Sequence, residues 1–327
     1  MVVAVAALLA TESRSSRTRE QSLRIGGVPI QFVSGRGSLW LLTCDRGCRG
    51  EARSILGRIV RIDPRTARVR ASATVDRPQA ITVGTEGVFG LDFWRGYVYR
   101  LDPTTLRVTG RLRLVLPWSV VDHDNAFAPE TISLGEGSVW VTTNRGAVAR
   151  IDPRSLRVLK IVRLEPAALD AVAAGQGHVW AAVELDGVAR IDTGTYRITA
   201  KIKVERGSRA LSVGQTLLGG GKVLAVGDWT MSHTVTNTNA LARIDPTSLH
   251  VEGVTLLPGP RVALTLDHGS LWAARVGGTT IERIDPATAR VMARFKGGAV
   301  GLGLALADGY LWTASTTGVV SRIALAR

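Results

Sequence analysis

Two carboxylates 40 residues apart, Glu130 and Asp170, each stand two positions ahead of an apolar residue that opens a strand-like run. Gln79 and Arg209 hold the same place in neighbouring runs, while Ile30, Val262 and Leu302 hold it in the others. Carboxylates brought together supply the hard oxygen ligands that magnesium or calcium takes. His123 or His233, each in a segment rich in polar residues, would then act as general base beside the metal, which is the chemistry of a divalent-metal-assisted lyase or hydrolase. Without a metal, the same mixed acidic and basic set beside aromatic rings suits a small polar ligand such as a sugar, or a partner protein. The rings on offer are Trp94, Trp118 and Trp229, and the polar groups near them include Asp92, Asp228 and the run Asp122-His123-Asp124-Asn125. Ion pairs that merely hold a rim together would use the same charged residues.

No His-Glu-x-x-His, phosphate-binding Walker loop, Gly-x-Ser-x-Gly or dinucleotide fingerprint occurs in the chain. No catalytic residue is assigned, and binding without catalysis and without a cofactor is the leading expectation. The metal-assisted enzyme, with Glu130 and Asp170 as ligands, is the alternative.

A repeat must bring these scattered residues together. Arg-Ile-Asp-Pro or a close variant begins at Arg61, Arg100, Arg150, Arg190, Arg243, Arg283 and Arg322, at spacings of 39, 50, 40, 53, 40 and 39 residues. A period near 40 with several short strands per unit predicts an all-β, seven-bladed β-propeller. Within one unit, runs at 131–134, 139–142, 148–151 and 157–164 alternate with Gly-rich and Asp-Pro turns. They predict a four-stranded antiparallel blade, with strand a at the central channel and strand d outermost. Asp followed by Pro starts a turn, because Asp bonds its own downstream amides and Pro fixes φ. Tryptophans 40, 140, 180, 272 and 312 share one place in strand b, with Phe89 and Leu224 in the remaining two interior units. A large apolar residue once per blade is expected to pack between blades.

The last unit stops after strand c, while Leu23 to Gly27 matches the strand d pattern. This N-terminal segment is expected to complete the last blade and close the ring. In such blades the b–c loops and d–a connections share one face. The long insertions at 43–57, 115–130 and 228–239 all fall there, as do Trp94, Trp118 and Trp229, so that face is expected to bind.

The formal charge of +14 comes from 36 Arg and 5 Lys against 27 acids, with many of the arginines tied to the repeat. Because the cations are dispersed along the sequence, nucleic acid is not the expected partner. Residues 1–10 are apolar and 11–21 polar, a signal-like segment and linker ahead of a single domain at 22–327. Ten residues cannot span a bilayer, and no transmembrane span is expected. The decamer lacks a charged start, which suits a natural beginning further upstream. An extracytoplasmic, secreted monomer is expected, with a cytoplasmic protein bearing a disordered tail as the alternative. Cys44 and Cys48, spaced Cys-x3-Cys, then read as a local disulfide, since a structural zinc site would need further ligands.

The unit Gly-x-x-Trp, Val-x-Arg-Ile-Asp-Pro-x-Thr-x-Arg-Val and Gly-x-x-x-x-Ile-x-Val-Gly resembles the repeats of virginiamycin B lyase-like and YVTN/NHL-type bacterial propellers, over residues 23–327. The lyase resemblance implies magnesium-assisted ring opening by His and Glu residues just after the strand b tryptophan. The third residue beyond the strand b anchor is here Thr43, Asp92, Thr143, Val183, Gly227, Arg275 and Ser315, so no such residue is carried over.

Overall fold

The computed structural model describes residues 21–46, 56–92, 95–114, 129–143, 146–164, 169–183, 187–206, 209–210, 212–229, 238–257, 262–267, 269–301 and 303–325. Seven four-stranded antiparallel sheets form the blades of a propeller, each ordered a-b-c-d from the channel outwards. Blade one runs Val28–Gly35, Ser38–Arg46, Leu56–Asp63 and Arg68–Asp76; blade two runs Pro78–Gly84, Gly87–Asp92, Tyr97–Leu101 and Val108–Arg113. Blades three, four, five and six begin with strands a at Pro129–Gly135, Leu169–Gly175, Ser212–Gly219 and Val262–Asp267.

The expected closure is present. Gln21–Arg24 pairs antiparallel with Val319–Ala324, strand c of blade seven, in the register Gln21 to Arg322 and Arg24 to Val319. Two further amides extend the seam, Ile25 and Gly26 donating to the Gly318 carbonyl at 2.9 and 3.4 Å. Leu23 and Ile25 pack against the cluster around Trp312, Phe32 and Leu41, which spans blades seven and one.

Strand b explains its own composition. In blade three every residue of Ser138–Thr143 is buried, because a central strand is covered on both faces by the neighbouring blades. Trp40, Trp140, Trp180 and Trp312 are 0% exposed, as are their substitutes Phe89 and Leu224. Each tryptophan packs toward the next blade, Trp140 for example among Leu169, Val172, Val179 and Ala181 of blade four. Strands d alternate instead, and their outward positions carry exposed cations such as Arg111, Arg113, Lys160 and Lys201. The dispersed charge thus collects along the outer edges, where it discourages edge-to-edge pairing.

The repeat motif is a joint between blades. Its aspartate caps a five-residue turn, as Asp152 accepts from the amides of Arg154 at 3.0 Å and Ser155 at 2.6 Å. The fifth residue takes a left-handed conformation although it is not glycine: Ala67, Leu106, Leu156, Tyr196, Leu249 and Ala289 have φ between 51° and 63°. That conformation costs about 1 kcal/mol, and burial offsets it, since Leu156 inserts among Phe89, Leu91 and Val98 of the preceding blade. The preceding blade answers with its arginine. Arg61, Arg100 and Arg190 donate to the carbonyls of Pro103, Pro153 and Pro246, at 3.1, 3.2 and 3.1 Å. Arg322 donates to the Arg65 carbonyl at 2.9 Å and so joins the last blade to the first. In these blades the repeat arginine therefore pairs with a turn carbonyl of the next blade rather than with a carboxylate. The same guanidinium lies over its own blade's tryptophan, at 5.6 Å for Arg61 on Trp40 and 5.7 Å for Arg150 on Trp140.

These turns make stability depend on pH. The Arg70 guanidinium holds the Asp63 carboxyl well below the usual value, and the amides of Thr105, Ser155, Thr195 and Ser248 do the same for Asp102, Asp152, Asp192 and Asp245. For Asp285 the Thr288 hydroxyl leads. A carboxyl depressed on folding stabilises fully above the ordinary value of 3.8 and loses that stabilisation as pH falls through its folded value. The melting temperature is expected to decline below about pH 4 as these turns protonate; calorimetry showing a level value down to pH 2 would remove them from the account.

Candidate functional site

Strand a is where the blades differ. In blade one Pro29 faces Thr43 and Gln31 faces Leu42, leaving Ile30 as an extra residue. Asp170 is the extra residue of blade four, between Leu169 and Ala171, and Gly214 that of blade five, between Val213 and Gln215. In blades two and three the irregularity covers Gln79-Ala80 and Glu130-Thr131. Blade six pairs without interruption from Val262, and the described pairing of blade seven begins at Gly303. A bulge turns the strand and re-aims a side chain, and all five lie at the first residues of strand a, at the mouth of the channel on the insertion face.

Three of the expected site residues, Gln79, Glu130 and Asp170, therefore share one structural position in consecutive blades, together with Ile30. Gln79 is half-buried; the side chains of Glu130 and Asp170 lie outside the described set. Arg209 does not begin strand a of blade five, as its spacing suggested. The extra residues between blades four and five form a small ribbon, Glu205–Arg206 paired with Arg209–Ala210, so strand a starts at Ser212 and Gly214 takes the bulge. Spacing counted back from Leu211 placed the register too early.

Much of each b–c insertion lengthens a hairpin. Strand b of blade five continues through Asp228 and Trp229, opposite Asn239 and Thr238, so these two candidates stand on a ladder extension rather than in a loop. In blade one the pairing extends to Arg46 opposite Leu56. There Asp45 accepts from Arg58 at 2.5 Å, and Arg58 also donates to the Ile25 carbonyl at 3.1 Å, pinning the N-terminal crossing to this face. Trp94, Trp118, His123 and His233 lie outside the described residues, as does Cys48; Cys44 is buried in strand b, 4% exposed. His178 opens strand b of blade four just after the a–b turn, on the opposite face, its Nδ1 2.9 Å from the Gln176 carbonyl.

Asp92 ends strand b of blade two and is only 5% exposed. Its carboxylate accepts the Arg95 amide at 3.1 Å. Burial pushes its carboxyl above the ordinary value, opposed by that amide and the Arg95 charge. It lines a small cavity that also includes Tyr99, which the sequence did not single out. A signal was available: the residue before the repeat arginine is Val60, Ala149, Ala189, Ala242, Glu282 or Ser321 in the other blades, and an aromatic ring stands there only in blade two. A larger cavity of about 500 Å³ on the opposite face lies among Arg36, Trp40, Arg61, Thr85 and Pro103. Its guanidiniums are committed to the blade joint, Arg36 donating to Thr85 at 2.9 Å and Arg61 to Pro103 at 3.1 Å.

Among the described residues no group of three or more His, Cys, Asp or Glu side chains converges to hold a metal ion. No described helix is long and apolar enough to cross a membrane.

No protein-family model matches the chain, and no curated protein matches its sequence. Solved structures do share its fold. The Neurospora crassa Pan2 WD40 domain superposes with a TM-score of 0.67 at 12% identity, over 93% of this chain and 95% of that one. The WD40 domain of Toxoplasma gondii coronin gives 0.66 at 10% identity, over 95% and 87%. BamB from Moraxella catarrhalis gives 0.57 at 13% identity, over 90% and 85%. At such identities the likeness is one of architecture, and the function must be argued from the site.

Proposed function

We propose that this protein is a binding module, a propeller that takes a small polar ligand at the channel mouth on its insertion face. The observation that supports this most is the run of bulges in five adjoining blades, with Gln79, Glu130 and Asp170 at three of them. Five adjacent breaks at one depth give up ladder bonds where blade six keeps them, and side chains re-aimed at a binding surface are a reason to do so. A partner protein seated on the same face would use the same residues together with the long loops. Kinship with the virginiamycin B lyase-like and YVTN/NHL propellers, export and a Cys44–Cys48 bond belong to the same reading and rest on sequence.

The test is thermal-shift screening of the purified protein against neutral sugars, amino acids and magnesium or calcium salts, repeated on the Glu130→Gln, Asp170→Asn double variant. A ligand that raises the melting temperature of the parent should leave the variant unmoved, while both melt alike without ligand. Equal shifts in both proteins would move the site away from the mouth. Stabilisation by magnesium or calcium that the variant loses would favour the metal-assisted lyase or hydrolase instead.

A further inference from the structure

At the insertion-face end of the seam between blades one and two lies a cavity of about 90 Å³, lined by Asp76, Asp92, Arg95, Tyr97, Tyr99 and Arg111 among others. Its lining comes from strands b, c and d, with Asp92 on strand b opposite Pro78 at the start of strand a.

Blade two is adapted to hold Tyr99 there. The residue opposite Tyr99 in strand b is Gly90, where other blades place Leu41, Val141, Ala181 or Ala225. A Cβ on Gly90 would stand 2.4 Å from the Tyr99 hydroxyl oxygen and 2.3 Å from Cζ, so only glycine leaves the ring its place. The tyrosine is 5% exposed, and its hydroxyl finds no hydrogen-bond partner among the described residues. Leaving a buried hydroxyl unpaired is costly, and phenylalanine would fill the same volume without that cost. Asp92 faces the same space, equally buried, with the Arg95 amide at 3.1 Å as its one described donor. A residue carrying a donor and one carrying an acceptor thus line one small space.

Charge narrows the ligand class. Arg95 pairs with Asp76 at the rim, and the lining carries two arginines and two aspartates in all, so a charged ligand gains nothing net. A neutral group that both donates and accepts satisfies both buried groups. We propose that this seam cavity is a subsite for the hydroxyl end of a neutral polyol or sugar, the Tyr99 O–H donating to a ligand oxygen whose own O–H donates to Asp92. The space is about three times the share of liquid volume of one water, room for a hydroxymethyl or vicinal diol but not a whole ring. The remainder of the ligand extends onto the insertion face. The subsite is independent of the channel-mouth reading.

Saturation-transfer NMR with glycerol, sorbitol and glucose tests it, on the parent protein and on Tyr99→Phe, Asp92→Asn and the Glu130→Gln, Asp170→Asn pair. Saturable binding of at least one of these polyols is expected, weakened about tenfold or more by Tyr99→Phe and by Asp92→Asn, roughly one lost hydrogen bond, and retained by the pair at the mouth. Tyr99→Phe should melt no lower than the parent, showing that the loss is one of binding. No saturable polyol binding, or undiminished binding by Tyr99→Phe, would overturn the proposal and leave the cavity to bridging water. Loss of binding only in the Glu130, Asp170 pair would overturn it as well and assign the polyol to the mouth.

Discussion

A protein lacking residues 1–24 is expected to melt about 10 °C below the full chain. The strand removed is the outer strand of blade seven, so its loss bares the edge of Val319–Ala324. Three contributions add. Its ladder bonds are each worth about 1 kcal/mol net. Leu23 leaves the cluster that it shares with Trp312, Phe32 and Leu41, exposing apolar surface. Arg322, 6% exposed, loses the Gln21 Oε1 acceptor held at 2.9 Å by its Nε and is left a buried charge with fewer partners. A total on the order of 5 kcal/mol at roughly 2 °C per kcal/mol gives the stated shift. The newly exposed edge also favours self-association. Differential scanning calorimetry checks the first point and light scattering the second; an unchanged melting temperature would show that the ring does not depend on this strand.

The Trp140→Ala variant is expected to lose about 3–5 kcal/mol, the range for emptying a buried tryptophan site. Trp140 is 0% exposed and fills the joint with Val172, Val179 and Ala181 of blade four. Its Nε1 donates to the Gly135 carbonyl at 3.1 Å, and the Arg150 guanidinium lies 5.7 Å from its ring. The substitution opens a cavity, frees that carbonyl and removes the face on which the arginine rests. Trp140→Phe keeps part of the volume and should cost less than half as much. Urea unfolding monitored by far-ultraviolet circular dichroism measures both. If Trp140→Ala unfolds at the same urea concentration as the parent, the tryptophan serves something other than packing.

The architecture was legible in the sequence because a propeller repeats its local rules. Asp152 caps its turn with amides two and three residues ahead, a contact within one turn that any Asp-Pro segment can announce. Strand b reads as a nearly unbroken buried run, and the strand d pattern at Leu23 to Gly27 foretold the closure that Gln21–Arg24 makes. The candidate site was legible only in part. Gln79, Glu130 and Asp170 were found by counting from an apolar anchor, and the count coincided with the bulges. It failed at Arg209, because the ribbon at Glu205–Arg206 and Arg209–Ala210 consumed residues that the count assigned to strand a. Asp228 and Trp229 passed for loop residues because nothing local distinguishes an insertion that extends a hairpin from one that leaves it.

By itself the sequence determined the number of blades, the strand order, the closing strand and the face that carries the insertions, since each follows from periodicity and from contacts within a turn or between adjacent strands. Only the tertiary structure decided what those elements do to one another. It showed that the repeat arginine holds the next blade's turn by its carbonyls, that a left-handed leucine is tolerated at Leu156 because the preceding blade buries it, and that Gly90 makes room for Tyr99 beside Asp92. These are contacts between residues far apart in the chain or across a seam, and hydrophobic burial and hydrogen-bond geometry there depend on distances that no spacing along the chain encodes.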